Sequence, residues 1–335
     1  MTRNDERIKM ETNLMPAEWA MHQAVWIGFP WNSAEWPTDM DKAQQQIAAF
    51  ANAVHCGGAG EHVILVAGDQ SSYDRAISLV DDGVEVCLEK IGDIWLRDTA
   101  AIITGSGANR RAKNFDFNGW GGSYLMDGDQ EIGDTLALAQ KFPIDKCNWI
   151  LEGGAIDVDG SGWAVTTMDC LLNPNRNPAL SQADIAQKLN EDLGINNIIW
   201  LGDGLRNDHT DGHVDNLARF IRAGHLLLPQ SSPDDPNFYI YEAAFAEASK
   251  HDVQISRICS PGAYLVDGEA IPASYMNFYI GNKVVVMPAY GTKYDDEAAK
   301  TLGMHFPNHK IAALPATAVI LGGGSFHCAS QQIPA

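Results

Sequence analysis

The sequence predicts an α/β fold in one domain spanning residues 1–335, assembled from five similar units around an axis. Three observations predict it. Short apolar runs alternate with amphipathic helical stretches to the end of the chain, and no linker-like segment divides it. Polar residues in distinctive, often glycine-rich, settings recur at 98, 152, 213, 277 and 328, with gaps of 54, 61, 64 and 51. A period of about 60 suits a unit of several strands plus a helix, and five such units would bring one polar loop each to a common centre.

The elements follow in order. Met40, Ala43, Ile47, Phe50, Ala51 and Val54 recur at three- and four-residue steps, the face of a helix, and Val63 to Val66 reads as a buried strand. Further strands are expected over 84–88 and 100–104, with a hairpin or loop at 105–113, and then over 163–167. Ser181 and Asp184 fit a capping box that opens a helix over 182–193, ahead of a strand at 198–201. A strand at 226–228 and the turn formers of 231–236 precede a helix over 238–250. A strand at 283–286, a helix at 295–302 and a strand at 317–321, running into Gly322-Gly323-Gly324, complete the pattern.

Composition narrows the function. The chain has 23 Lys+Arg against 43 Asp+Glu, a net charge of −20 that argues against nucleic acid or an anionic membrane as partner and leaves room for a cationic ligand. Hydrophobic residues make up 45%, enough for a full core, yet no apolar stretch reaches the roughly 20 residues of a membrane span. The first 13 residues are charged and carry no secretory signal, so the expected location is the cytoplasm. Six scattered cysteines without a C-x-x-C pair fit neither a disulfide framework nor a structural zinc site.

Four segments could carry chemistry. Cys328, beyond the triple glycine, is either a nucleophile displayed where a substrate can approach the backbone or a small buried residue beside a tail. His213 and Asp215 are two apart, so on a strand an acid–base imidazole and a carboxylate would share one face. His209 and His213 have the spacing of a helical zinc pair, but Asp211-Gly212 favours a turn and no glutamate follows His209, which makes metal the weaker reading. Asp98, beside Arg97, is either a pocket carboxylate or half of a surface ion pair; Glu152, before Gly153-Gly154, is either a pocket acid or a turn residue. Trp31, Trp95 and Trp120 are core aromatics or, next to a carboxylate, a surface against which a flat cation stacks.

Taken together, these segments resemble the agmatine deiminase family, within the guanidine-modifying (pentein) superfamily. The resemblance runs through Met15-Pro16-Ala17-Glu18-Trp19, Trp26-Ile27-Gly28-Phe29-Pro30, Trp95-Leu96-Arg97-Asp98-Thr99, Asn118-Gly119-Trp120-Gly121-Gly122, Leu151-Glu152-Gly153-Gly154, His213-Val214-Asp215-Asn216, Ala273 to Phe278 and Gly322 to Gln332. It implies a five-bladed α/β propeller with pseudo-five-fold symmetry, no metal, no cofactor and self-association into a homo-oligomer. It also implies Cys328 as nucleophile, His213 as acid–base, Asp98 and Asp215 as the grip on a guanidinium, and Glu152 as support for the histidine or the pocket. Trp95, and with it Trp31, Trp120, Asn277 and Gly323, would meet the substrate. The implied reaction is hydrolysis of agmatine to N-carbamoylputrescine and ammonia. Ala100-Ala101 replaces a Gly-Pro common in relatives, and His209 stands where an acidic residue often helps with the distal amine. These departures keep free or peptidyl arginine open as substrates. A metallohydrolase and a non-catalytic guanidine binder are the readings from other classes.

Overall fold

Four times along the chain, an antiparallel pair of strands is followed by a helix and a third strand parallel to the second, and the two ends of the chain together make a fifth such unit. The computed structural model describes residues 13–335; the charged opening segment, apart from Asn13, lies outside the described residues. Strand β1 (His22–Phe29) leads through the helix Met40–His55 to the parallel β2 (His62–Ala67), and β3 (Glu85–Leu88) extends that sheet. Strands β4 (Ile102–Thr104) and β5 (Arg111–Asp116) are antiparallel, and the helix Ile132–Ala139 returns the chain to β6 (Ile144–Ile150). The same order recurs in β7 (Ile156–Val158), β8 (Trp163–Thr167), the helix Gln182–Leu193 and β9 (Asn197–Leu201). It recurs again in β10 (Arg219–Arg222), β11 (His225–Gln230), the helix Phe238–Ala248 and β12 (Gln254–Cys259). After a two-stranded hairpin, β13 (Leu265–Val266) and β14 (Glu269–Ala270), come β15 (Tyr279–Ile280), β16 (Val284–Ala289), the helix Asp295–His305 and β17 (Lys310–Pro315). The last strand, β18 (Ser330–Pro334), pairs antiparallel with β1 and so supplies the first unit's missing strand.

The helices expected over 40–54, 182–193, 238–250 and 295–302 form, each with its apolar stripe against a sheet, whereas Gln70–Leu79 and Ile132–Ala139 are helices the sequence reading did not place. Ile47, Phe50, Ala51 and Val54 pack onto Val25, Ile27, Val63 and Leu65, while Ile185, Leu189 and Leu193 cover the sheet of β7–β9. The burial of each such side chain contributes about 1.5–3 kcal/mol. The capping box forms: Ser181 accepts from Asp184 N, and the Asp184 carboxylate accepts from Ser181 N. The stretch at 105–113 joins β4 to β5 as a hairpin.

Two expectations fail. Residues 317–321 are not a strand: Val319–Gly322 is a 3-10 turn, because the Gln46 side chain accepts from the N–H groups of Ala318 and Val319 that a strand partner would otherwise bind. His213 and Asp215 do not share a strand face either. They flank Val214 at the start of a 3-10 turn, Val214–Asn216, reached through Asp211 (φ 61°) and Gly212 (φ 90°). The backward bend expected from Asp211-Gly212 is present, but it ends in a tight turn and not in β structure.

Candidate active site

Each connector entering the first strand of a unit carries one of the recurrent polar residues: Asp98 before β4, Glu152 before β7, His213 and Asp215 before β10, Asn277 before β15 and Cys328 before β18. Asp98 lies in the helical turn Leu96–Thr99 and is buried. Its Oδ1 accepts from Gly154 N at 2.9 Å and its Oδ2 from Trp120 Nε1 at 3.0 Å, with His213 Nδ1 3.7 Å from Oδ2. Trp120 reaches it from a backbone in the left-handed region (φ 50°), inside a glycine-rich turn held by the Asn118 side chain. A Cβ on Gly154 would fall 2.5 Å from His213 Nδ1, 3.0 Å from Asp98 Oδ1 and 3.2 Å from Asp215 Oδ2. Three side chains from two connectors therefore meet in a space that only glycine leaves open.

Cys328 joins this group through Asp215. Its Sγ lies 3.4 Å from Asp215 Oδ2 and accepts from Asn277 Nδ2 at 2.9 Å. Asn277 Oδ1 also accepts from the N–H groups of His327 and Cys328, so Asn277 is a clamp on the cysteine, buried behind it and off the cavity wall where substrate contact was expected. Far from capping a loose tail, Cys328 is anchored by β18 and by Arg97 N donating to its carbonyl. Arg97 makes no surface ion pair with Asp98: its side chain is buried and donates to Gln332 Oε1 and to the His327 carbonyl.

A cavity of ≈ 200 Å³ opens in front of the thiol. Trp95, Asp98, Trp120, Gly323 and Cys328 line it as expected, together with Glu35, Asp93, Tyr124 and His209. Gly324 lets the Trp95 ring close on Cys328, since a Cβ there would sit 2.7 Å from the indole and 3.0 Å from Cys328 Cβ. Trp31 is absent from the wall; its indole packs over Gly68, where any Cβ would clash at 2.5 Å.

Glu152 and His213 are fully buried behind this wall. Arg176 Nε donates to Glu152 Oε1 at 2.6 Å and its other nitrogens bind Asp211 and the Thr210 carbonyl, which ties the His213 loop to Glu152. Among the described residues, Glu152 Oε2 and both His213 ring nitrogens have no hydrogen-bond partner. Among the described residues, Glu152, Cys170 and His213 form the one group whose ligand atoms lie close enough, within 4.8 Å, to hold a metal ion. His209 is not part of it, so the His209/His213 zinc pair does not form.

The electrostatics divide the site. Burial raises Asp98 above the usual carboxylate range. Burial also opposes ionisation of Asp215, but the His327 hydrogen bond and charge outweigh it and leave that carboxyl lowered. Burial pulls His213 down, yet Asp98, Glu152 and Asp215 together hold the ring above its ordinary value. Burial, and then the charges of Asp215 and Asp98, push the Cys328 thiol far up, so without a cation nearby it is a neutral thiol whose S–H faces Asp215.

A model of the Porphyromonas-type peptidyl-arginine deiminase family matches residues 14–334. The chain belongs to this family. The agmatine deiminase of Pseudomonas aeruginosa (strain LESB58) is 34% identical over 96% of this chain and 95% of that one. Among solved structures, agmatine deiminase of Enterococcus faecalis matches with a TM-score of 0.89 at 27% identity, covering 97% of each chain. A cysteine-to-serine form of C. jejuni agmatine deiminase with substrate bound matches at 0.89 and 29%, covering 96% of each. A dimethylarginine dimethylaminohydrolase, at 14% identity and TM-score 0.56, shares the fold alone. The resemblance to the agmatine deiminases read in the sequence therefore holds, and this member of the deiminase family is a mixed α/β hydrolase acting on guanidino C–N bonds. Among the described residues no helix is long and apolar enough to cross a membrane.

The sequence did not reveal every residue of this cluster and cavity. Trp36, Asp93, Glu35 and Tyr124 gave no signal beyond being polar or aromatic. Glu18 and His327 stood inside quoted segments, adjacent to Trp19 and Cys328, but nothing local revealed that they meet across the chain.

Proposed function

We propose that this protein hydrolyses agmatine to N-carbamoylputrescine and ammonia, in a single five-bladed α/β propeller whose inner connectors form the site. The observation that carries the reading is the meeting of Asp98, Asp215 and His213 around Gly154, with Asp215 against the Cys328 sulfur. A guanidinium is flat and permanently charged, and two carboxylates can bind its N–H groups in plane while a thiolate approaches the carbon from above. Its charge offsets the two anions that keep the thiol protonated, so the thiol releases its proton to solvent when substrate arrives. The sulfur then bonds to the guanidino carbon. Protonated His213 transfers a proton to one amino group, the C–N bond breaks, and ammonia leaves an amidino-thioether on Cys328. Neutral His213 next takes a proton from water as the water oxygen attacks that carbon, and the C–S bond breaks as the remaining hydroxyl proton passes to the departing sulfur, releasing the ureido product and restoring the thiol. Glu152, with Oε2 unpartnered beside His213, favours the charged ring during both transfers.

The cavity wall supports agmatine over arginine. Among the described residues, Glu35, Asp93 and Asp98 line it and no lysine or arginine does, so it suits a distal ammonium and disfavours a carboxylate. Trp36 leads from one end to the other: its ring packs 6.1 Å from that of Trp95, and its Nε1 donates to Asp93 at 2.9 Å.

Ammonia release from agmatine, arginine and an arginyl peptide tests the substrate, and turnover restricted to arginine or the peptide would overturn it. Cys328→Ser is expected to lower turnover by at least about 10⁴-fold while agmatine still binds. Mass spectrometry of the wild type quenched during turnover is expected to locate an amidino adduct on Cys328. Near-normal turnover by the serine variant would remove the covalent route.

A further inference from the structure

His327 precedes the reactive thiol in sequence, yet its buried ring points away from the cavity, between two carboxylates. Nδ1 lies 2.7 Å from Asp215 Oδ2 and Nε2 lies 2.8 Å from Glu18 Oε2. A neutral imidazole has one N–H and one lone pair, so one of these contacts would set a lone pair against an anion. An imidazolium donates to both.

The surrounding charges agree. Glu18 also accepts from Arg219 at 2.6 Å and from Ile280 N, and faces Arg97 at 3.8 Å. Arg219 donates in addition to Asp157 at 2.5 Å. On the far side of Asp215 stand Cys328, neutral as a thiol, and the opposed Asp98 and His213. Glu18, Asp157 and Asp215 thus face only Arg97 and Arg219 among the guanidinium groups. A neutral His327 would leave one buried negative charge uncompensated, and a charged one closes the balance. Asp215 Oδ2 takes both the His327 and the thiol contact, while its Oδ1 is buried with no partner.

We propose that His327 is a standing imidazolium and the positioning residue of the site: by holding Asp215 Oδ2 it keeps Asp215 ionised, with Oδ1 free for a guanidinium N–H. Only the identity of that ligand rests on the deiminase reading above. The other carboxylate of the grip, Asp98, takes its hydrogen bonds from two neutral N–H donors and meets the His213 ring only at 3.7 Å. His327 therefore makes the two acids unequal.

Histidine-labelled wild-type protein, full length and without substrate, gives the direct test by ¹⁵N NMR. The His327 ring is expected to carry a proton on both nitrogens at neutral pH, and that signal is expected to vanish in His327→Gln or His327→Asn. A single protonated ring nitrogen on His327 at neutral pH overturns the proposal, whatever the substrate proves to be. In kinetics on agmatine, His327→Gln is expected to lower kcat/KM about 10- to 100-fold, the loss of one charge-assisted bond. It is also expected to move the acid limb of the kcat/KM profile to higher pH, because Asp215 then holds its proton longer. A variant that folds, loses rate and leaves the limb in place would reduce His327 to a packing role and overturn the proposal as well.

Discussion

Asp98 and Asp215 flank one cysteine, but the protein treats them in opposite ways. Asp98 is held by two uncharged donors, Gly154 N and Trp120 Nε1, and burial lifts it above its ordinary range. Asp215 is just as buried, yet the His327 ring brings it below that range. Burial is common to both, so the partner decides the charge. The pair teaches how a dry site can hold two acids without their mutual repulsion protonating both. One has a close charged partner before substrate arrives, and the other, bonded to neutral donors, gains its close charged partner with the arriving cation.

That contrast is broken or kept by two substitutions. Asp215→Asn removes a guanidinium partner and also leaves His327 with a buried charge facing one carboxylate instead of two, so kcat/KM for agmatine is expected to fall about 1000-fold. Asp98→Asn keeps the shape and loses one charged contact, while His213 still faces Glu152 and Asp215, so a fall of about 100-fold is expected. Steady-state kinetics on both variants checks the order, and equal losses would mean that the two acids are equivalent. Between them stands Gly154, where a methyl group would overlap His213 Nδ1 at 2.5 Å. Gly154→Ala is expected to destabilise the fold by about 1–3 kcal/mol in denaturant titration and to lower kcat. Gly202→Ala, where nothing lies within 4 Å of the added carbon, is expected to leave both unchanged.

What the sequence revealed was local, and what it hid was long-range. The helix Gln182–Leu193 was legible because its capping box, apolar stripe and terminal Gly194 (φ 70°) all act within a few residues. The spacing near 60 was legible because each polar residue sits at one recurring place, the connector into a unit's first strand. Residues 317–321 looked like a strand because their apolar composition says nothing of Gln46, a side chain 272 positions from Ala318 in sequence. The bonds from His327 to Asp215 and Glu18 span 112 and 309 positions, so no window on the sequence could have joined them. Trp31 and Asn277 erred for a related reason: residue type marked them as able to meet a ligand, while Gly68 and the Cys328 backbone had already engaged them.

The smallest expected effect lies at the other end of the cavity, where Asp93 offers a third variation on the buried acid. Burial pushes it up to about 7, against the hydrogen bond from Trp36, and no buried cation accompanies it as His327 accompanies Asp215. In the empty site it is therefore largely protonated below about pH 7. A distal ammonium binds the ionised form, so agmatine binding at lower pH must expel that proton. The sign follows: KM for agmatine falls as pH rises toward about 7 and levels off above it. Asp93→Asn is expected to flatten this dependence and to raise KM at alkaline pH about tenfold, with kcat little changed, because the reacting carbon lies beyond its reach. An alkylguanidine lacking the distal amine is expected to show neither the dependence nor the loss. If agmatine and that monocation responded alike, Asp93 would have no part in recognising the amine, and the acidic wall would act on the guanidinium alone.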